Sequence, residues 1–129
     1  MFRDPQVNVY VADVEGMARF YRDVLGFTET FRTPAEGAPV HVELRIGALV
    51  VGMAGIEAAR AMHGIDVGGD RPRAEVVLWT DDVDAAFEAV VAGGARPLAA
   101  PHDFLGSVRA AWVADPEGNP VELVMRRNG

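Results

Sequence analysis

The chain is written twice over. Residues 7–27, "VNVYVADVEGMARFYRDVLGF", begin as a strand-like alternation and turn at an Asp into a helical pattern, and residues 76–95, "VVLWTDDVDAAFEAVVAGGA", repeat that course at an offset of about 69 positions. In the first copy Val7, Val9 and Val11 share one strand face, while Gln6, Asn8, Tyr10 and Ala12 share the other. Asp13 is placed to cap a helix, since its carboxylate can accept backbone N–H groups and suits the positive end of the helix dipole. Met17, Phe20, Tyr21 and Val24 then recur at helical spacing, and Gly26 supplies a stop. In the second copy Val76, Leu78, Trp79 and Asp82 stand for Val7, Val9, Tyr10 and Asp13, and Val83, Ala86, Phe87 and Val90 form the helix face.

Three more strands are expected in the first half, over about 27–32, 40–46 and 48–53, with a turn at Gly47. Each half therefore reads βαβββ, with a first module over 5–53, a connecting loop over 54–73 and a second module over 74–126, all in one domain spanning 1–129. The connecting segment holds a short helical patch and then a Gly-, Asp- and Pro-rich run. Later in the chain an offset of about 71 places Gly47 on Gly118, His41 on Trp112 and Val51 on Glu122. The fold class is α+β, with two tandem modules forming curved mixed sheets and helices outside. Each module leaves one sheet face bare, so the halves must cover each other or a second chain.

Composition narrows the function. The 129 residues carry 12 Lys+Arg against 19 Asp+Glu, a net charge of -7, which disfavours nucleic acid and anionic membrane surfaces as partners. Cysteine is absent, which removes disulfides, thiolate ligands and a Cys nucleophile. The start "MFRDPQ" has no apolar signal core, and "IGALVVGMAGI" is too short to span a bilayer, so a cytoplasmic location is expected. Ser107 is the only serine and has no triad pattern around it, and no phosphate-binding glycine loop is present.

"FYRDVLGF" after a strand ending in Val-x-Asp, then "TDDVDAAFEAVVAGGA", then "DPEGNPVEL", together resemble the vicinal oxygen chelate superfamily of glyoxalases, extradiol dioxygenases, fosfomycin-resistance enzymes and bleomycin-binding proteins. The resemblance covers nearly the whole chain and implies the glyoxalase/bleomycin resistance fold. It also implies a homodimer, because in this superfamily two modules from one or two chains close each binding cleft. Metal-using relatives place ligands on the first and last strands of each module, at spots that match Gln6, Val51, Glu75 and Glu122 here. Val51 cannot hold a metal, and carboxylates in place of imidazole shift preference toward Mg or Mn. No cofactor is therefore favoured, and a divalent metal held by Gln6, Glu75 and Glu122 belongs to the alternative, a metal-dependent lyase, isomerase or dioxygenase.

By strand parity Asn8 and Tyr10 lie with Gln6, Val77 and Trp79 with Glu75, and Trp112 takes the place of His41, so two Trp and a Tyr face the concave side. Met53, Met62 and Phe104 come from nearby edges and loops. His41 alternates with Glu43 on one strand, a pairing more typical of a solvated sheet face than of an acid–base dyad, and His63 and His102 read as loop residues. An aromatic and methionine lining with few titratable groups suits stacking of a flat, mostly apolar molecule. The expected ligand-binding residues are Asn8, Tyr10, His41, Met53, Trp79, Phe104 and Trp112, and the expected activity is sequestration of a small aromatic natural product or antibiotic, conferring self-resistance.

Overall fold

The first strand, β1 (Val7–Val11), follows its alternation: Val9 and Val11 are buried, whereas Asn8 and Tyr10 lie on the opposite face. The structure, a computed structural model, describes residues 1, 3–64, 66, 67, 69, 74–104 and 106–127, with Phe104 by its backbone alone. Its packing divides the chain into two compact units, Met1–Asp70 and Arg71–Gly129.

In the first unit Asp13 caps α1 (Val14–Arg19) by accepting the Gly16 N–H on Oδ1 at 2.9 Å. The helix then widens into a π-type turn over Phe20–Val24. Phe20, Tyr21 and Phe27 meet there edge to face, with centroids 5.6 and 5.4 Å apart, and all three are buried. Gly26 reverses the chain at φ 82, a conformation that costs glycine little. The strands β2 (Thr28–Thr33), β3 (His41–Ile46) and β4 (Leu49–Gly55) follow, and the sheet order is β1-β4-β3-β2, with β1 parallel to β4 and the other pairs antiparallel. One face of this sheet carries Val9, Val42, Leu44, Val51 and Met53, all buried, and α1 packs on β3 and β4. Burying side chains of this size contributes about 1.5–3 kcal/mol each. Arg32 on β2 reaches back to Glu15 of α1 at 2.8 Å, tying helix to sheet. The short helical patch expected after β4 is α2 (Ile56–His63), closed by Gly64 at φ 67.

The second unit repeats the order: β5 (Val76–Trp79), α3 (Val83–Ala92), β6 (Arg96–Phe104), β7 (Val108–Ala114) and β8 (Pro120–Arg126), with sheet order β5-β8-β7-β6. Asp82 caps α3 through the Ala85 N–H at 3.1 Å, and Arg109 on β7 holds Asp84 of α3 at 2.8 Å, the counterpart of the Arg32–Glu15 tie. The "DPEGN" turn is closed by Asp115, whose Oδ1 accepts the N–H groups of Glu117 and Asn119 at 3.0 and 2.9 Å, with Gly118 at φ 84. The architecture is thus α+β, two four-stranded mixed sheets each built as βαβββ, with three helices among the described residues.

The pairing registers correct two equivalences drawn from the sequence. Asn8 lies beside Gly52 across β1–β4, and Val77 lies beside Glu122 across β5–β8. The counterpart of Glu122 is therefore Gly52, and Val51 is buried on the face that α1 covers. Likewise Glu43 lies beside Gly52 and Trp112 beside Glu122, so Trp112 takes the place of Glu43 and not that of His41. Side chains alternate with period two, so the slip of one residue at Val51 moves the position to the other face, whereas the slip of two at Trp112 keeps it on the same face.

Candidate functional site

On the face of the first sheet away from α1, the registers set Asn8, Gly52 and Glu43 in one row across β1, β4 and β3, and Tyr10, Ala54 and His41 in the next. Small residues at Ala54 and Gly55 leave space there. Helix α2 borders that space with Ala58, Ala59, Met62 and His63, forming a mainly apolar cavity of about 280 Å³ with Asn8, Tyr10, Thr33 and His41 as its polar or aromatic lining. The volume lies near the lower end of the range for small-molecule sites.

Three residues expected from the sequence, Asn8, Tyr10 and His41, are thus brought together, and Met62 and His63 join them. His63 is the last residue of α2 and not part of a loop. Met53 does not line the cavity. It is fully buried beside Val9 and Val42 on the helix-covered face, because its parity is odd on a strand whose even positions face the cavity.

A hydrogen-bond chain runs along the same face. The Gln6 amide nitrogen donates to Asn8 Oδ1 at 3.0 Å and to Glu43 Oε2 at 3.1 Å, and His41 Nε2 stands 3.0 Å from Glu43 Oε2. The hydrogen bonds from His41 first, and then from Gln6, hold the Glu43 carboxyl below the usual carboxylate range against the cost of its partial burial. A β-carbon at Gly52 would run into Asn8 Oδ1 and into the His41 ring at Cε1. Glycine at this spot is what lets those two side chains lie over the strand.

In the second unit Trp112 is half-buried, donates its indole N–H to Glu75 Oε1 at 3.1 Å, and stacks on His102 at 5.8 Å with an interplanar angle of 27°. His102 sits within β6, so its expected place in a loop is corrected. The reason is that β6 runs on through the Pro- and Ala-rich stretch with two register shifts against β7. Trp79 is 57% exposed, and the Arg126 guanidinium covers its ring at 4.8 Å from the centroid. Trp79 and Arg126 border a wider depression with Thr80, Asp81 and Met125. The Phe104 side chain lies outside the described residues.

Among the metal spots suggested by the resemblance, the first unit offers the Gln6 amide and a glycine, with the space above that glycine taken by Asn8 and His41. The second unit offers Glu75, already accepting from Trp112, and Glu122, whose carboxyl is raised by burial first and by the charge of Glu75 second. No three His, Asp or Glu converge as a metal centre among the described residues. These donors do not fit an imidazole-rich divalent centre.

Sequence reasoning missed the partnership of Gln6 with Glu43 and the role of Ala58 and Ala59 as cavity wall. The run of small residues on β4 and α2, "GMAGIEAA", was the available signal.

The comparisons with known proteins agree with this architecture. A model of the Glyoxalase/Bleomycin resistance protein/Dioxygenase superfamily matches residues 5–123. The fold resembles TioX from Micromonospora sp. ML1, with a TM-score of 0.79 at 24% identity over 97% of this chain and 100% of that one. It resembles a glyoxalase/bleomycin resistance protein/dioxygenase family enzyme from Burkholderia phytofirmans PsJN, with a TM-score of 0.76 at 25% identity over 93% and 95%. It also resembles a lactoylglutathione lyase from Agrobacterium tumefaciens, with a TM-score of 0.71 at 20% identity over 95% and 92%. Among curated proteins none matches. No helix among the described residues is long and apolar enough to cross a membrane. With its matched span covering nearly the whole chain, the protein belongs to the Glyoxalase/Bleomycin resistance protein/Dioxygenase superfamily.

Proposed function

We propose that this protein binds a small, flat, mostly apolar organic molecule and holds it chemically unchanged, as a sequestering protein does for an aromatic natural product or antibiotic. The observation that carries this reading is the cavity on the first unit, where apolar walls from α2 and β4 surround a few polar groups at Asn8, Tyr10 and His41. The half-buried Trp112 stacked on His102 supports it, as an aromatic surface in a unit that is otherwise rich in Val and Ala. The lack of a donor at Gly52 weighs against the metal-dependent alternative on Gln6, Glu75 and Glu122. The working form in this reading is a cytoplasmic homodimer with two equivalent sites, its two modules bounded within 54–73.

The test is a calorimetric screen of planar aromatic compounds against the native chain and two variants. Ala58→Leu fills the cavity from α2, and Tyr10→Ala removes its aromatic wall. Both are expected to weaken binding about ten- to a hundredfold, the scale of losing a buried aromatic anchor. The ligand should be recovered intact. A transformed product, or binding indifferent to both replacements, overturns the reading. Trp79→Ala and Trp112→Ala, tested in parallel, report whether the second unit contributes.

A further inference from the structure

Resting on the cavity reading above, we propose that the site selects ligands presenting a hydrogen-bond donor and an acceptor side by side, such as a planar lactam, because the Gln6–Glu43 pair fixes Asn8 as a donor and His41 as an acceptor.

The argument starts at Glu43, which as a carboxylate can only accept. The Gln6 atom at 3.1 Å from Glu43 Oε2 must then be its amide nitrogen, which settles the orientation of that amide. The same nitrogen lies 3.0 Å from an Asn8 atom, which must therefore be the carbonyl oxygen. The NH₂ of Asn8 is left as a donor. On the other side, His41 Nε2 at 3.0 Å from the same carboxylate oxygen must carry its proton. In the neutral ring Nδ1 is then an acceptor, and it has no hydrogen bond among the described residues. One carboxylate thus sets the polarity of three side chains, Gln6, Asn8 and His41. Asn8 and His41 both line the cavity, and both lie against the spot above Gly52 where a β-carbon would stand. The cavity thus meets its ligand with one donor, the Asn8 NH₂, and one acceptor, His41 Nδ1, on neighbouring side chains. A cis-amide edge, C=O beside N–H, answers both. A lactone of the same shape answers only the donor and sets its ring oxygen against the Nδ1 lone pair.

Quinolin-2(1H)-one and coumarin make the test, since they share shape and carbonyl and differ in N–H against ring oxygen. Calorimetry on the native chain should show the lactam binding about tenfold or more tighter than the lactone, as sites built around a hydrogen bond reject analogues that lack it. His41→Phe should bring the ratio close to one. Glu43→Gln should lower it as well, because a neutral amide no longer forces the tautomer of His41. Equal binding of the two probes to the native chain would overturn the polarity inference while leaving the cavity as a binding site. A lactam preference that survives in His41→Phe would also overturn it. Failure of both probes to bind would overturn this inference together with the reading it rests on.

Discussion

His41 and Glu43 stand on the same face of β3, with Nε2 of one 3.0 Å from Oε2 of the other. The pairing keeps the carboxyl below its usual range, so its contribution to stability is complete above the ordinary carboxylate pKa and is lost as pH falls through the depressed folded value. Melting temperatures followed from neutral pH to about pH 3 should decline. Glu43→Gln should remove part of that decline, with Glu29, Asp84 and Asp23, similarly depressed, carrying further shares. An identical acid profile in the variant would contradict the pairing.

Glu122 has the opposite sign. Burial and then Glu75 raise its carboxyl, so the folded state is favoured while the group is protonated, and that advantage is lost as pH rises through the raised value. At neutral pH Glu122→Gln should therefore raise the melting temperature, and the gain should vanish in acid below the ordinary carboxylate range. A lower melting temperature at neutral pH would show that the charge is compensated by a partner.

Gly52 is confined by Asn8 and His41, so Gly52→Ala should cost about 1–3 kcal/mol by overpacking. Denaturant unfolding measures it. Adding Asn8→Ala to the same chain should recover part of the loss, a coupling that a double-mutant cycle reads directly.

Met53 is fully exposed to the consequences of core truncation because it has no contact with solvent. Met53→Ala should lose about 2–5 kcal/mol of stability, while the folded fraction keeps the native affinity for whichever aromatic compound the screen finds. A large change in affinity without a change in stability would return Met53 to the binding site.

The first unit offers no donor side chain at Gly52, and in the second Glu75 already accepts from Trp112, so Zn, Ni, Mn or Mg should leave the melting temperature nearly unchanged. Stoichiometric metal in the purified protein, lost with Glu122→Ala, would promote the enzymatic alternative.

The modular plan could be read from the sequence because it rests on local chemistry. Val9 and Val11 alternate with Asn8 and Tyr10, Asp13 and Asp82 cap helices that begin at the next residue, and Gly26 reverses the chain where the helix stops. The sheet face on which Asn8, Tyr10 and His41 lie in the first unit, and that on which Trp112 lies in the second, were legible for the same reason, since parity along one strand needs no knowledge of its neighbours.

Only the tertiary structure decided register, and with it the site. Sequence offset made Val51 the counterpart of Glu122, but the pairing of Asn8 with Gly52 moves that counterpart by one residue and leaves Val51 in the core. The same pairing removed Met53 from the cavity, and the packing of α2 on the sheet added Ala58 and Ala59 as its wall. It also joined Gln6 to Glu43 from strands 37 positions apart in the chain, which no local pattern encodes. Periodicity and capping depend on residues within a turn of one another. Register and hydrogen-bond polarity depend on which strands meet and how they slide, and those are settled only when the whole sheet closes its backbone bonds and buries its apolar face at once.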